Sequence, residues 1–182
     1  IWRLLPPVQP KKKSAATTPA PAVQEKNIKS VMGNEDKNMK VFIENEAGSD
    51  QKNLYNEKTL EYKKTVTVSR KYPFPYGFIL GTTSGDGDNL DCFIITEQKL
   101  KTGQTVECEP IGLMEQVEDG KEDHNILARL PEEKMTIGEE IKSKLTEFVS
   151  HVFDHKADKV VQVGRYLDKE DAEKYVEQCL DS

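Results

Sequence analysis

Between residues 40 and 130 apolar and polar positions mostly alternate, which predicts strands rather than helices. In Lys40–Glu44, Val41 and Ile43 fall on one side and Phe42 on the other. In Thr59–Ser69, Leu60, Tyr62, Lys64, Val66 and Val68 share one face at period two. Helix is excluded between Tyr72 and Pro75, because Pro73 and Pro75 each fix φ and lack an N–H. Gly77–Leu80, Cys92–Thr96, Thr105–Glu109, Ile111–Val117 and Ile126–Leu130 read as further short strands, punctuated by Gly103 and Pro110.

The period then changes. Ile137, Ile141, Leu145, Phe148, Val149, Val152 and Phe153 trace one face of a helix, and Thr136 with Glu139 forms a candidate capping box at its start. A second helix carries Ala172, Tyr175, Val176, Cys179 and Leu180 on one face, with Asp168 as its cap and Leu167 placed to staple against Ala172. Val160–Val163 reads as a strand between them. Many short strands followed by two C-terminal helices predict an α+β fold: a small closed, OB-like β-barrel with helices packed outside.

Composition sets the boundaries. Residues 1–24 contain no Asp or Glu but hold Arg3, Lys11, Lys12 and Lys13 within a Ser/Ala/Thr/Pro-rich stretch. Such a segment cannot bury a core and reads as a flexible basic tail, followed by a charged, Asn-rich linker. The tail and linker occupy 1–38 and the domain 39–182. With 32% charged residues, 36% hydrophobic residues and no apolar run near the ~18 residues a membrane span needs, no membrane partner is expected. A net charge of −6 disfavours broad nucleic-acid binding, which needs a basic footprint. Cys92, Cys108 and Cys179 form no CxxC pair; they read as small buried hydrophobes in a reducing compartment, the cytoplasm. Basic, acid-free N-termini also resemble organelle-targeting segments, so an organelle matrix, mitochondrion or plastid, is the alternative.

The strongest chemical feature is Gly85-Asp86-Gly87-Asp88-Asn89-Leu90-Asp91. Three carboxylates within six residues repel one another unless something positive sits among them. The flanking glycines let the backbone bend so that the side chains converge. The apolar run Cys92–Ile95 anchors the loop to a strand. Oxygen-only ligands suit Mg²⁺, Mn²⁺ or Ca²⁺. An EF-hand reading fails on Leu90 and Asp91 and on strand-like flanks. A solvated acidic turn and a divalent-metal catalytic site both remain open from spacing alone. A second acidic segment, Glu118-Asp119-Gly120-Lys121-Glu122-Asp123, reads as a hairpin turn that could complete a multi-metal site.

Taken together, these segments resemble family I, the soluble inorganic pyrophosphatases. The family signature Asp-x-Asp-Pro-x-Asp-x is similar to Asp86-Gly87-Asp88-Asn89-Leu90-Asp91-Cys92, and Tyr72-Pro73-Phe74-Pro75-Tyr76-Gly77 resembles the family's Tyr-Pro-x-x-Tyr-Gly segment. Pro110-Ile111-Gly112 matches its Pro-x-Gly link, and the acidic hairpin follows in register. The resemblance runs from about Val41 to about Tyr175. It implies a five-stranded barrel and Mg²⁺-dependent hydrolysis of inorganic pyrophosphate, with Mn²⁺ as a substitute and an oligomer of identical chains. It also implies that Asp86, Asp91 and Asp123 hold the nucleophile-activating metals and Asp88 takes a proton from the attacking water. Glu118, with Asp123, would serve a substrate-bound metal. Glu44, Lys64, Tyr76 and Lys156 would contact or line the substrate site.

The departures fall on basic positions. The family's Lys-x-Glu aligns with Leu54 and Asn56, its phosphate-binding arginine with Lys64, the lysine after the hairpin with Asn125, and the late Tyr-Lys pair with His155-Lys156. Lys52, Lys63, Arg70 and Lys71 are the nearby cations that could replace lost charge. His124 reads as a surface histidine, with orienting Asp123 as the alternative. A thinned clamp leaves two alternatives to an active enzyme: a catalytically inactive pyrophosphatase-like subunit of a larger assembly, or a hydrolase of another small phosphate compound.

Overall fold

The computed structural model describes residues 38–182; residues 1–37, where the tail and linker are expected, lie outside it. Nine strands and two helices follow one another as β1 (Met39–Asn45), β2 (Gln51–Asn56), β3 (Glu61–Thr67), β4 (Tyr76–Ile79), β5 (Asp91–Ile94), β6 (Thr105–Glu118), β7 (Lys121–Glu122), β8 (Asn125–Arg129), α1 (Glu139–His151), β9 (Val161–Leu167) and α2 (Lys169–Cys179). Five of the strands close a hydrogen-bonded ring. β1 pairs with β4, β4 with β5, β5 with β8, β8 with β6, and β6 returns to β1. All of these pairs are antiparallel except β5–β8.

The two short strands expected around Pro110 are one strand of 14 residues. Pro110 does not end it; the register with β8 shifts between Pro110 and Gly112, and the strand bends there. The bend lets β6 pair with β1 through Thr105–Cys108 and with β9 through Leu113–Glu118.

Period-two alternation places the core on two faces of the ring. Val41, Ile43, Cys92, Ile94, Ile126 and Ala128 point to one face, where Ala172 and Val176 of α2 cover them. Phe93, Ile95, Met114 and Leu127 point to the other, where Leu145, Phe148 and Val149 of α1 cover them. Gly77 is required where β4 crosses β1, since a Cβ there would lie 1.8 Å from the Phe42 carbonyl oxygen. Cys92 and Cys108 are buried, Cys179 is partly buried, and all three are free.

Two further expectations are corrected. The stretch Thr59–Ser69 does not offer a buried face from its start: Leu60 sits in the preceding turn at φ +59° and Tyr62 is 58% exposed, because β3 pairs only with β2. β2 itself was not anticipated. The capping box at α1 does not form. The helix begins at Glu139 behind Gly138, which makes no side-chain cap, so Thr136 and Glu139 do not have the required offset. At α2, the Asp168 carboxylate accepts from the Asp171 N–H at 3.1 Å, a standard side-chain cap.

Candidate active site

A cleft of about 420 Å³ is lined from β1, β2, β4, β5, β6, β8 and α1. The Asp86–Asp91 loop leads into β5, and the β6–β7 hairpin brings Glu118 and Asp123 to the same cleft. Glu44 is buried next to the last residue of β1, and Tyr76 begins β4. Asp86, Asp88, Asp91, Asp123, Glu118, Glu44 and Tyr76 therefore line a single cavity although they span some eighty positions of sequence.

The aspartate loop is held from several sides. The Ser84 N–H donates to the Asp88 carbonyl at 2.7 Å, and Gly87 turns the chain at φ +95°. The Asp86 carboxylate accepts from the Ser84 hydroxyl and from the Asp88 N–H. Although burial opposes it, these bonds hold the Asp86 carboxyl below its usual value. At the far end Leu90 is 1% exposed, and its N–H donates to the Thr82 hydroxyl at 3.0 Å. The hairpin turn Glu118-Asp119-Gly120-Lys121 has positive φ at both central residues, the primed geometry that Asp-Gly favours.

The carboxylates are electrostatically crowded. Burial and the Asp123 charge push Asp91 well above the usual carboxyl range, with the Tyr76 hydroxyl offsetting part of this. Burial, then Glu118 and Asp86, push Asp123 up. Burial, then Glu57, raise Glu44 to about 8; burial, then the Asp88 and Asp86 charges, raise Glu57 to about 7 despite its bond to Asn89. Such a cluster seeks cations. Its donors are all oxygen, which fits a hard divalent ion and not zinc or copper. The carboxylates share the cleft without closing on a common centre: among the described residues no three His, Cys, Asp or Glu converge on one ion position. Asp86, Asp91, Asp123 and Glu118 are the groups that would hold ions here.

The basic side of the cleft differs from the sequence expectation. Lys64 is exposed on β3 and does not line the cavity. Lys52, on β2, does, and its charge lowers Asp91, Asp123 and Glu44 against the forces that raise them. Lys156 is exposed beyond α1, with its ammonium 5.2 Å from the centre of the Phe153 ring, which lines the cleft. Arg70 is engaged elsewhere, with Glu147 at 3.3 Å and Asp154 at 3.5 Å. Lys63 and Lys71 are exposed and outside the lining.

Two further groups escaped the sequence. Glu57 enters from the β2–β3 turn, and its carboxylate accepts from the Asn89 N–H at 2.6 Å. Gln116, buried on β6, donates from Nε2 to Asp123 Oδ2 at 2.8 Å and accepts from Asn125 Nδ2 at 3.0 Å. Gln116 and not His124 therefore orients Asp123; the His124 ring faces the Gln116 backbone and lies tilted against the Tyr175 ring, 5.4 Å between centres. Asn125, 2% exposed, supports that arrangement from a position too buried for an unpaired ammonium.

Known proteins similar to this chain share one family description. The family model described as inorganic pyrophosphatase matches residues 36–182. The inorganic pyrophosphatase of Nanoarchaeum equitans is 32% identical over 152 residues, covering 78% of this chain and 94% of that protein. That of Sulfolobus acidocaldarius is 30% identical over 137 residues, 68% of this chain and 79% of the relative. The solved inorganic pyrophosphatase of Thermus thermophilus superposes with a TM-score of 0.73 at 25% identity, covering 80% of this chain and 91% of that one. The inorganic pyrophosphatase of Neisseria gonorrhoeae gives 0.72 at 27% identity, covering 79% and 89%. Matched across the whole described domain, with the carboxylates of both acidic loops in one cleft, the chain belongs to family I of the inorganic pyrophosphatases.

Proposed function

We propose that this protein hydrolyses inorganic pyrophosphate to two phosphates with Mg²⁺ as its cofactor. The observation that carries the reading is the convergence of Asp86, Asp88, Asp91, Asp123 and Glu118 on one cleft that also holds Lys52. Asp86, Asp91, Asp123 and Glu118 hold the ions. Bound there, Mg²⁺ supplies a water of lowered pKa and neutralises phosphate oxygens. Asp88 stands exposed on the loop between Asp86 and Asp91, free to accept a proton from a water held between its neighbours. Tyr76 braces Asp91 from the buried side, and Gln116 fixes Asp123. Lys52 provides the positive charge that the leaving phosphate needs inside the cleft, with Lys156 at its rim. Phosphoryl transfer asks for this kind of positioning and charge more than for covalent chemistry. The closed ring of strands is read as the barrel of the family, and the free cysteines fit a reducing, cytoplasmic setting.

The test compares phosphate release from pyrophosphate with release from phosphate esters and longer polyphosphates, for the natural chain and for Asp88→Asn. The reading expects a preference for pyrophosphate by orders of magnitude and a loss of about 10²–10⁴-fold in Asp88→Asn with the fold retained. Full activity in that variant would remove Asp88 from the mechanism, and equal rates on esters would replace the substrate.

A further inference from the structure

A lysine already sits where a metal ion would meet Glu118. The segment between α1 and β9 is stitched to the tip of the acidic hairpin: the Asp119 N–H donates to the Val160 carbonyl at 2.9 Å, and the Val160 N–H donates to Asp119 Oδ1 at 3.0 Å. These bonds fix the backbone next to Lys159, whose ammonium contacts the Glu118 carboxylate and lies 3.5 Å from that of Asp119. The Lys159 and Glu118 side chains are each only 24% exposed, so solvent screens this pair less than a surface ion pair.

We propose that Lys159 is a tethered cation that occupies the Glu118 position, and that a divalent ion must displace it to bind there. Resting on the reading that Glu118 is a metal ligand, this makes Glu118 the weakest divalent position of the cleft. An ammonium already on the carboxylate repels an incoming divalent ion, so the two compete for Glu118. The displaced ammonium has a place to go. It already lies 5.2 Å from the centre of the Phe153 ring, which Lys52 and Lys156 also approach, at 5.1 and 5.2 Å. Three ammonium groups around one ring form a positive rim toward which an incoming anion is drawn. Lys159 is thus a positioning residue: it neutralises Glu118 in the resting protein and is released toward that rim when an ion takes its place.

The test is a titration of the metal-free chain with Mn²⁺ and no pyrophosphate, read by the electron paramagnetic resonance of free Mn²⁺. It compares the natural chain with Lys159→Met, Lys159→Arg and Lys156→Met. In Lys159→Met the weakest Mn²⁺ position should tighten by about tenfold or more, while Lys159→Arg, which keeps the cation, stays weak. Lys156→Met, which removes an equal charge from the same ring but no contact with Glu118, should change binding by less than about threefold. Superposable isotherms for Lys159→Met and the natural chain would overturn the proposal, as would an equal shift in Lys156→Met. A natural chain that binds no Mn²⁺ would instead overturn the metal reading on which the proposal rests.

Discussion

Glu57 accepts a hydrogen bond from the backbone N–H of Asn89 at 2.6 Å, and so ties the β2–β3 turn to the aspartate loop. The bond depends on Asn89 standing where the family signature has proline, since proline has no N–H to donate. The neighbouring Lys58 grips the same loop, donating to Asn89 Oδ1 at 2.7 Å, to the Thr82 carbonyl at 2.9 Å and to Thr83 Oγ1 at 2.8 Å. Asp181 completes the latch from the chain's other end, 3.6 Å from Lys58 and hydrogen-bonded to Thr83. Two adjacent turn residues therefore fix the loop that carries Asp86, Asp88 and Asp91.

Removing Glu57 should loosen that loop. Asn89 is 4% exposed, so Glu57→Ala leaves a buried N–H without a partner, which costs about 1–3 kcal/mol by urea denaturation. Misplacing Asp88 by even an ångström should lower turnover by up to about 10²-fold. Asn89→Ala, which keeps the N–H bond to Glu57 and loses only the contact with Lys58, should cost less on both measures.

Lys52 and Lys64 make opposite predictions. Lys52→Ala removes a cation from inside the cleft and should reduce kcat/KM for pyrophosphate by about tenfold or more, because a charge-assisted contact is worth about 1.5–3 kcal/mol. Lys64→Ala, on the exposed side of β3, should leave kcat/KM within about twofold, as surface charges away from a site usually do. Steady-state kinetics on the two variants decides which lysine belongs to the site.

The raised carboxyls predict how the metal-free protein responds to pH. A carboxyl whose folded pKa lies above its unfolded value holds extra protons when folded, so its stabilising contribution is present below the unfolded value and lost as pH rises through the folded one. Glu44 shifts from 4.5 to about 8 and Glu57 from 4.5 to about 7. The melting temperature in EDTA should therefore fall between about pH 5 and pH 8. Glu44→Gln should flatten the profile, and Mg²⁺ should raise the melting temperature most at the alkaline end. A flat profile in EDTA would contradict the crowding of these acids.

What could be read from the sequence was what is local in it. The Asp86–Asp91 loop, its anchor at Cys92–Ile95 and the acidic hairpin each carry their chemistry within a few residues, and the apolar periods of β1, β5, β8, α1 and α2 are strong. The basic side was illegible because it depends on pairing. β2, Gln51–Asn56, has no apolar run to mark it as a strand; only its partnership with β3 makes it one. Without β2, Lys52 has no face, and Lys64 takes its place by alignment. Asn56 carried the missing cue: its side chain accepts from the N–H groups of Lys58 and Thr59, an Asn-centred turn that ends β2 and turns Glu57 inward. Gln116 was hidden in the same way, because its partners Asp123 and Asn125 meet it only across the β6 hairpin.

Phosphate release from pyrophosphate by the purified chain, in Mg²⁺ and then in EDTA, tests the central claim most directly. Rapid release that EDTA abolishes and Mg²⁺ restores is the result this account predicts. No release in Mg²⁺ or Mn²⁺ from a chain shown to be folded would contradict it, and would mean that the ring and its carboxylate cleft are kept for binding and not for hydrolysis.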